Sequence, residues 1–228
     1  MKRAELRRAR RIVVLCEGDS EELATCHFLR RQFAVDCLVG IGLHPINLAA
    51  KLEDVFVKTR LFRSDRRVLA VFTLIDLYGM NRVRLHDAAS LDDKVEVARD
   101  WLRSGVGNVD SRFFYPHLCV HEIEAWFLAE GQSLAKRLKH SSVQPLANAE
   151  ELDFAKPPKV RVNELFRKHL GRNYHEVRDG TALFKGLAHD AVYRSCRHYR
   201  EFYDELCEVA RRAVESGTDQ STFPEGRA

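Results

Sequence analysis

Acidic side chains follow three apolar segments of this chain, at the points where buried strands would end. Glu17 follows the run IVVLC, Asp76 follows VLAVFTLI, and His121–Glu124 follows FFYPHLCV. A buried carboxylate is unfavourable unless it is paired or binds a metal ion. Several carboxylates with few histidines and no cysteine ligands suit a hard cation such as Mg²⁺ or Mn²⁺. The pattern therefore predicts a metal site, and a metal there would support phosphoryl displacement.

Glu21 is the fourth residue after Glu17 and falls in the first turn of a predicted helix. Both carboxylates can point into one crevice, and Glu21 also gains from the positive end of the helix dipole. A purely structural alternative remains open, because Glu21 or Glu22 can close a capping box behind Asp19 and Ser20.

The segment His121–Glu124 has the start of a zinc-protease motif, but HExxH needs a second histidine where the chain has Ala125. That mechanism is excluded. On a helix, Glu122 and Glu124 would be separated by about 200°, and one of them would face the site. In an extended segment both would lie on one side. Asp76 has its own structural alternative, as a cap for the loop that follows it.

The elements that position these acids alternate between strands and helices. Helical spacing begins at Ser20, and we predict a short second strand over Val35–Ile41, a helix over Asn47–Arg60 and another over Leu91–Ser104. Strands that are apolar throughout favour a parallel sheet with helices on both faces. Ligands of such α/β sheets bind beyond the carboxyl ends of the strands. The three acidic segments should therefore meet at one edge of the sheet.

The second half of the chain is mainly α-helical by pattern, with helices over Val160–Leu170 and Val192–Val214. We predict an α/β core over residues 1–131, a helical extension over 132–215 and a flexible tail over 216–228. Lys159, Arg161 and Lys185 could contact phosphate groups. The alternative, which charge alone favours, is that they are solvated side chains on helix surfaces.

Composition excludes several classes of protein. The 228 residues carry a net charge of +4, with 45% hydrophobic and 31% charged residues, as in ordinary globular proteins. No apolar run reaches the roughly 18 residues of a membrane span, so no membrane contact is expected and the cytoplasm is the predicted location. The chain has no P-loop, no GxGxxG after a strand, no GxSxG and no CxxC pair.

Three motifs together resemble a bacterial and archaeal family, domain of unknown function 4276, which has a Toprim-like fold. Glu17–Glu21, EGDSE, resembles the EGxTE signature of that family, and Thr73–Gly79, TLIDLYG, resembles its TxxDxYG segment. Tyr115–Glu124, YPHLCVHEIE, resembles its YxxxHExE segment. The second half follows more loosely, for example at Pro157–Lys159. The resemblance covers almost the whole chain and implies a Rossmann-like parallel sheet.

Toprim domains use a glutamate after the first strand and later acids to hold Mg²⁺ for phosphodiester chemistry. By resemblance, Glu17 would be a metal ligand or general acid/base, Asp76 a ligand and Glu21 a supporting ligand. The usual second acid of a Toprim DxD pair would fall at Tyr78, so this chain departs from the pattern there. Glu122 or Glu124 could supply the missing charge.

The function that the resemblance implies is a Mg²⁺-dependent nuclease acting on DNA or RNA, related to the OLD-type nucleases. An ABC- or SMC-like ATPase partner and a role in phage defence are implied by analogy. The alternatives are a non-catalytic subunit that binds an ATPase or nucleic acid, and a phosphoryl-transfer enzyme for a small nucleotide. We predict catalytic roles for Glu17, Glu21, Asp76, Glu122 and Glu124. The predicted metal ligands are Glu17, Glu21, Asp76, Glu122 and His121, and the predicted substrate contacts are Lys159, Arg161 and Lys185.

Overall fold

The structure is a computed structural model of the 228-residue chain. It describes residues 10–36, 40–80, 83, 85, 88–120, 122–141, 143–151 and 156–218, and of residues 78, 217 and 218 only the backbone.

The centre of the molecule is a parallel sheet, as predicted from the apolar strands. The strand order is β2-β1-β3-β4, all pairs are parallel, and the short β5 also pairs with β3. The strands are β1 (Arg10–Cys16), β2 (Ile41–Asn47), β3 (Val68–Asp76), β4 (Phe114–Tyr115) and β5 (Leu118–Cys119).

Helices surround the sheet. Helix α1 (Asp19–Ala24) continues through a π-helical turn at Thr25–Leu29 into helix α2 (Arg30–Asp36). The other helices are α3 (Asp54–Phe62), α4 (Leu91–Val106), α5 (Ala125–Glu130), α6 (Gln132–Leu138), α7 (Pro158–Leu170), α8 (Thr181–Gly186), α9 (His189–Ser195) and α10 (Arg197–Thr218). None of these helices is long and apolar enough to cross a bilayer.

The apolar strands are covered on both faces because their side chains alternate between two cores. Ile12 and Val14 of β1 pack in one core with side chains of α1, α5, α7 and α10. Val13 and Leu15 pack in the other core with side chains of α3 and α4. The prediction of helices on both faces is confirmed.

The helical second half packs directly against the first of these sheet faces. Phe72 of β3 stacks on Tyr115 with ring centroids 4.6 Å apart, and the edge of Phe202 of α10 meets Phe72 at 5.8 Å. Helices from residue 125 onward therefore share a core with the sheet, which lets them deliver side chains to its carboxyl edge.

The predicted second strand was misplaced. Val35 belongs to α2, and the strand that follows is Ile41–Asn47. This strand forms the edge of the sheet and contains Pro45, a residue that indicated a strand boundary in the sequence. An edge strand tolerates proline and polar side chains because only one side of it is paired within the sheet. The helix predicted over Asn47–Arg60 correspondingly begins later, at Asp54.

The predicted third strand is interrupted at Pro116 and His117, which separate β4 from β5. The Thr73 side chain bridges this gap. Its hydroxyl donates to the His117 carbonyl over 2.8 Å and accepts from the His117 N–H over 2.9 Å. A threonine side chain thus supplies hydrogen bonds at the irregular point, and the chain leaves β5 next to the end of β3.

The helix predicted over Val192–Val214 is two helices, because Cys196 adopts an extended conformation between α9 and α10. Cys196 is fully buried, so core packing holds the break in place. Helix α10 ends at Thr218, inside the segment predicted as a tail, and residues 219–228 lie outside the described part of the chain.

Candidate metal and catalytic site

Glu17 and Asp76 meet at the carboxyl edge of the sheet because β1 and β3 are neighbouring parallel strands. The Glu17 N–H donates to the Leu74 carbonyl over 3.2 Å and extends the pairing past the end of β1. The Asp76 N–H donates to Glu17 Oε2 over 3.0 Å. Burial raises the pKa of Glu17, and the hydrogen bond from the Asp76 backbone opposes this shift.

Gly79 makes room for the Glu17 carboxylate. It ends the 3₁₀ turn Leu77–Gly79 that follows β3. A Cβ atom on Gly79 would overlap both carboxylate oxygens of Glu17, so the Glu17 side chain would have to move. The sequence suggested Gly79 only as a turn residue, although it is the glycine of the TLIDLYG motif.

The sequence left open whether Glu21 caps the helix or faces the acidic crevice, and in the structure it does both. Its Oε2 accepts from the Gly18 N–H over 2.9 Å, which is half of a capping box. Glu21 is also only 4% exposed. Burial, followed by the carboxylates of Glu17 and Glu176, raises the pKa of Glu21 to about 7. The cap therefore holds a carboxyl group that releases its proton near neutral pH.

Asp76 contributes an unpartnered oxygen. The residue as a whole is partly exposed, but its Oδ1 atom is buried and has no hydrogen-bond partner. Burial raises the pKa of Asp76 well above its usual range, and the carboxylates of Glu21 and Glu124 raise it further. The structural alternative was a loop cap, but the Asp76 side chain forms no cap hydrogen bond at the 3₁₀ turn Leu77–Gly79.

Glu122 and Glu124 lie in a turn directly before α5, so neither the helical nor the extended arrangement applies. Glu122 Oε2 accepts from the Lys159 N–H over 2.7 Å. Glu124 is 2% exposed, and its Oε1 atom has no hydrogen-bond partner. Burial raises the pKa of Glu124 to about 8. Both carboxylates raise the pKa of Asp76, so the turn brings both acids to the same crevice. The predicted ligand His121 lies outside the described residues.

Lys159 and Glu176 bring an ion pair from the helical half to this crevice. Lys159 Nζ lies 2.6 Å from Glu176 Oε1, and the Ser20 hydroxyl donates to Glu176 Oε2 over 3.4 Å. Burial acts to lower the pKa of Lys159, but the carboxylates of Glu176 and Glu124 outweigh it and raise that pKa. Lys159 is therefore positively charged beside the acids.

Sequence reasoning missed Glu176, and no motif marks it. It lies in a π-helical turn, Glu176–Gly180, within a polar stretch without clear periodicity. Tyr174 was missed for the same reason. Its hydroxyl is buried beside the Glu124 carboxylate, although no hydrogen bond of normal geometry joins them, and burial followed by the Glu124 and Glu176 carboxylates raises the pKa of Tyr174.

The hydrogen bonds of the other two predicted substrate contacts lie outside the acidic crevice. Arg161 Nε donates to the Lys156 carbonyl over 3.4 Å. Lys185 is exposed on α8, where its carbonyl accepts a hydrogen bond from Arg31. Neither side chain forms an ion pair with a site carboxylate in the described part of the chain.

Asp179 holds the turn that carries Glu176. It is fully buried and accepts hydrogen bonds from Arg137 over 2.5 Å, from Arg172 over 2.6 and 2.9 Å, and from the His175 N–H over 3.0 Å. Burial acts to raise the pKa of Asp179, but the arginine hydrogen bonds hold it well below its usual range.

Replacing Asp179 by asparagine should lower the free energy of unfolding by about 2 kcal/mol, because it leaves arginine donors without their buried charged acceptor. Chemical denaturation at neutral pH measures this loss. The control is Asp65→Asn, which removes a more exposed carboxylate that pairs with Arg11 and Arg67. That variant should lose less stability, because solvent screens an exposed ion pair. Equal losses in both variants would contradict the proposed support of the turn.

The donor atoms fit a hard divalent cation. All of the site carboxylates offer oxygen, and the buried Asp76 Oδ1 and Glu124 Oε1 atoms lack any partner. An unpartnered buried oxygen is rare in proteins unless an ion, a water molecule or a catalytic role explains it. Among the described residues, no three such side chains stand close enough to hold one ion as they are placed.

Fold and site together define the class: a parallel α/β protein with carboxylates gathered beyond the ends of adjacent strands. The chain belongs to the family described as domain of unknown function DUF4276, whose model matches residues 16–207. That match confirms the family predicted from the three motifs, and the Toprim-like relationship stays a prediction.

The chain is similar to the C-terminal region of the OLD protein of Xanthomonas campestris pv. campestris, with 14% identity, a TM-score of 0.46, and coverage of 95% of this chain and 99% of that one. It is also similar to the C-terminal region of the Burkholderia pseudomallei OLD protein, with 18% identity, a TM-score of 0.43, and coverage of 90% and 98%. No curated protein matches the sequence.

Proposed function

We propose that this protein is a Toprim-like nuclease that hydrolyses phosphodiester bonds of DNA or RNA with Mg²⁺ or Mn²⁺. One observation carries the proposal: Glu17, Glu21, Asp76, Glu122 and Glu124 gather at the carboxyl edge of the sheet, and two of their oxygens are buried without a partner. Such a group of carboxylates is tolerated most readily if a cation binds there.

Asp76 and Glu124 would hold the cation through their unpartnered oxygens, and Glu17, which already contacts the Asp76 backbone, would complete the group. When bound, the cation supplies Lewis-acid polarisation of a phosphate oxygen and activation of a water molecule. The positively charged Lys159 would stabilise negative charge that develops on the phosphate. Glu21, with a pKa of about 7, could accept or donate a proton at neutral pH.

Nucleic acid as substrate, an ABC- or SMC-like ATPase as partner, a role in phage defence and a cytoplasmic location are parts of the same proposal. They are supported by the motif resemblance to Toprim effectors. The net charge of +4 is compatible with a polyanionic substrate.

The test is a cleavage assay with plasmid, single-stranded DNA and tRNA, each with Mg²⁺ or Mn²⁺. We expect at least one substrate to be cut, EDTA to stop the reaction, and Glu17→Gln to abolish it. The matched control is Glu96→Gln, which removes an exposed carboxylate on α4. Absence of cleavage with every substrate, with and without a neighbouring ATPase, would overturn the nuclease proposal. Cleavage unchanged in Glu17→Gln would overturn the site assignment.

A second candidate is a non-catalytic subunit that binds an ATPase or nucleic acid. It is favoured by the spacing of the acids, since no three described side chains are placed to ligate one ion. The departure at Tyr78 favours it too, because an acid is expected there in a Toprim DxD pair. This candidate predicts nucleic-acid binding in a gel-shift assay that is unaffected by EDTA and is not followed by cleavage.

Protein stability should depend on pH through Glu21 and Glu124. Their pKa values in the folded protein, about 7 and about 8, lie above the ordinary value of 4.5. The folded state therefore holds these protons more tightly than the unfolded state does. The stabilisation that these two groups contribute is fully present below pH 4.5 and is lost as the pH rises through 7 and 8.

A bound divalent cation would take the place of those protons, so its stabilising effect should increase with pH. We expect Mn²⁺ to raise the melting temperature more at about pH 8.5 than at about pH 6, as measured by differential scanning fluorimetry. Glu124→Gln should reduce this difference. An Mn²⁺ effect that is the same at both pH values, or the same in Glu124→Gln, would contradict the assignment.

A further inference from the structure

A cavity of about 670 Å³ lies between helices α6 and α8, in the helical half of the molecule. Its volume is within the range of ligand pockets. Helix α6 and the residue after it contribute three basic side chains to its lining: Lys136, Arg137 and Lys139. The wall formed by α8 and the residues after it carries no large side chain, and consists of Ala182, Gly186 and Ala188. Small residues there leave space in front of the basic groups.

The positive charge of the cavity exceeds the negative charge of its lining. Lys136 and Lys139 are exposed, and neither side chain forms an ion pair with a described residue. Among the described residues, Glu130 is the one acid of the lining, and its Oε2 atom accepts from the Ser133 N–H over 2.7 Å. With three basic groups against one acid, the cavity attracts anions.

Arg137 adds to this excess although it pairs with Asp179. Its Nη2 atom donates to Asp179 Oδ1 over 2.5 Å, while its Nε atom is buried and has no hydrogen-bond partner. Asp179 also pairs with Arg172 and Arg178, so three guanidinium groups surround one carboxylate. One negative charge balances one of the three, and positive charge remains beside the cavity.

Ser133 gives a second, independent indication of a ligand. It lines the cavity, is 8% exposed, and its hydroxyl has no hydrogen-bond partner among the described residues. An unpartnered buried hydroxyl is rare in proteins unless an ion, a water molecule or a ligand explains it. The Ser133 hydroxyl is therefore a donor that an anionic oxygen can use.

Arg31 holds the opposite wall of the cavity. Its guanidinium donates to the carbonyls of Lys185 and Leu187, which lie on either side of Gly186. Both acceptors are neutral, so the charge of Arg31 adds to the positive potential on this side of the molecule.

The turn Glu176–Gly180 connects the cavity to the acidic crevice. At the start of this turn, Glu176 pairs with Lys159 of the crevice over 2.6 Å. Three residues later, Asp179 pairs with Arg137 of the cavity. A nucleic-acid strand carries phosphate groups at a regular spacing, so one strand can reach both places.

We propose that this cavity binds a backbone phosphate of the nucleic-acid strand that enters the acidic crevice. The proposal takes the kind of ligand from the proposed function but does not depend on cleavage. Lys136 and Lys139 pair with the phosphate oxygens, and Ser133 donates a hydrogen bond. Contacts of this kind hold the strand without reading its sequence. A free nucleotide offers the same phosphate chemistry, but it does not extend along the turn to the crevice.

Fluorescence anisotropy in EDTA tests binding by the full chain in the absence of metal-dependent cleavage, with a labelled single strand of about 20 nucleotides. The double variant Lys136→Gln/Lys139→Gln should bind about tenfold more weakly. The slope of log affinity against log salt concentration should become shallower by about 1.4, because each phosphate contact on a single strand contributes about 0.7.

The matched control is Lys58→Gln/Lys94→Gln, which removes two lysine charges from α3 and α4 on the other face of the sheet. It should change neither the affinity nor the slope. Ser133→Ala should weaken binding about threefold and leave the free energy of unfolding unchanged, because its hydroxyl has no partner to lose in the free protein.

Unchanged affinity and slope in Lys136→Gln/Lys139→Gln would overturn the proposal, as would a wild-type protein that binds no oligonucleotide. ATP that binds as tightly as the oligonucleotide, and that loses affinity in the same variant, would assign the cavity to a free nucleotide and overturn the strand. The cleavage assay remains separate. A protein that binds through the cavity but cuts no substrate would support this proposal and contradict the nuclease proposal.

Discussion

Replacing Asp76 by asparagine should abolish nucleic-acid cleavage and, in the absence of divalent cations, make the protein more stable. The Asp76 carboxylate has one buried, unpartnered oxygen, and burial and neighbouring acids disfavour its charge. Asparagine removes that charge at nearly the same volume, so the free energy of unfolding should rise by about 1 kcal/mol at alkaline pH. A metal ligand is lost, and the cleavage rate should fall by more than about 100-fold.

A functional carboxylate is distinguished from a structural one because its replacement raises the free energy of unfolding while it lowers the cleavage rate. If Asp76 served only to hold the turn after β3, asparagine would lower both stability and activity. Denaturation in EDTA and cleavage in Mn²⁺ should therefore be measured on the same preparation, with Asp100→Asn as the control for loss of an exposed carboxylate. A destabilised Asp76→Asn variant, or one with undiminished cleavage, would contradict the assignment.

Gly79→Ala should have the second largest effect, although it adds only one methyl group. The Cβ atom of alanine would occupy the position of the Glu17 carboxylate and overlap both of its oxygens. Glu17 must then move and give up its hydrogen bond from the Asp76 N–H. We expect Mn²⁺ affinity to fall by about 10-fold or more and cleavage to fall with it.

The matched control for this prediction is Gly42→Ala in the edge strand. A Cβ atom there meets nothing within 4 Å, and the backbone is not in the left-handed region. Gly42→Ala should therefore keep full activity. Measuring cleavage and circular dichroism for both variants separates displacement of Glu17 from loss of fold. Full activity in Gly79→Ala would show that the placement of Glu17 in this crevice does not matter.

The sequence predicted the strands best where successive residues are all buried. The strands β1 and β3 could be located because each is apolar on both faces, and two parallel strands bring Glu17 and Asp76 to one edge. The edge strand β2 was misplaced because its pattern contains glycine, proline and histidine. Strands β4 and β5 have only two residues each, which is too short for an alternating hydrophobic pattern to be recognised in the sequence.

Within the site, sequence motifs identified the acids that follow strands but not the groups that surround them. Lys159 could be proposed from the motif Pro157–Lys159, and it lies at the crevice. Glu176 could not be proposed from the sequence, because it lies 159 residues after Glu17 in the chain. A π-helical turn that Asp179 stabilises places it at the crevice. The role of Gly79 depends on an interatomic distance, and no pattern of residue types contains that information.

The central claim is that the acidic crevice binds a divalent cation, and calorimetric titration with Mn²⁺ at about pH 8 tests it most directly. We predict saturable binding to the wild-type protein that Mg²⁺ competes away and that Asp76→Asn abolishes, with Asp100→Asn unchanged. No saturable binding to the wild type, or the same affinity in Asp76→Asn, would contradict the claim.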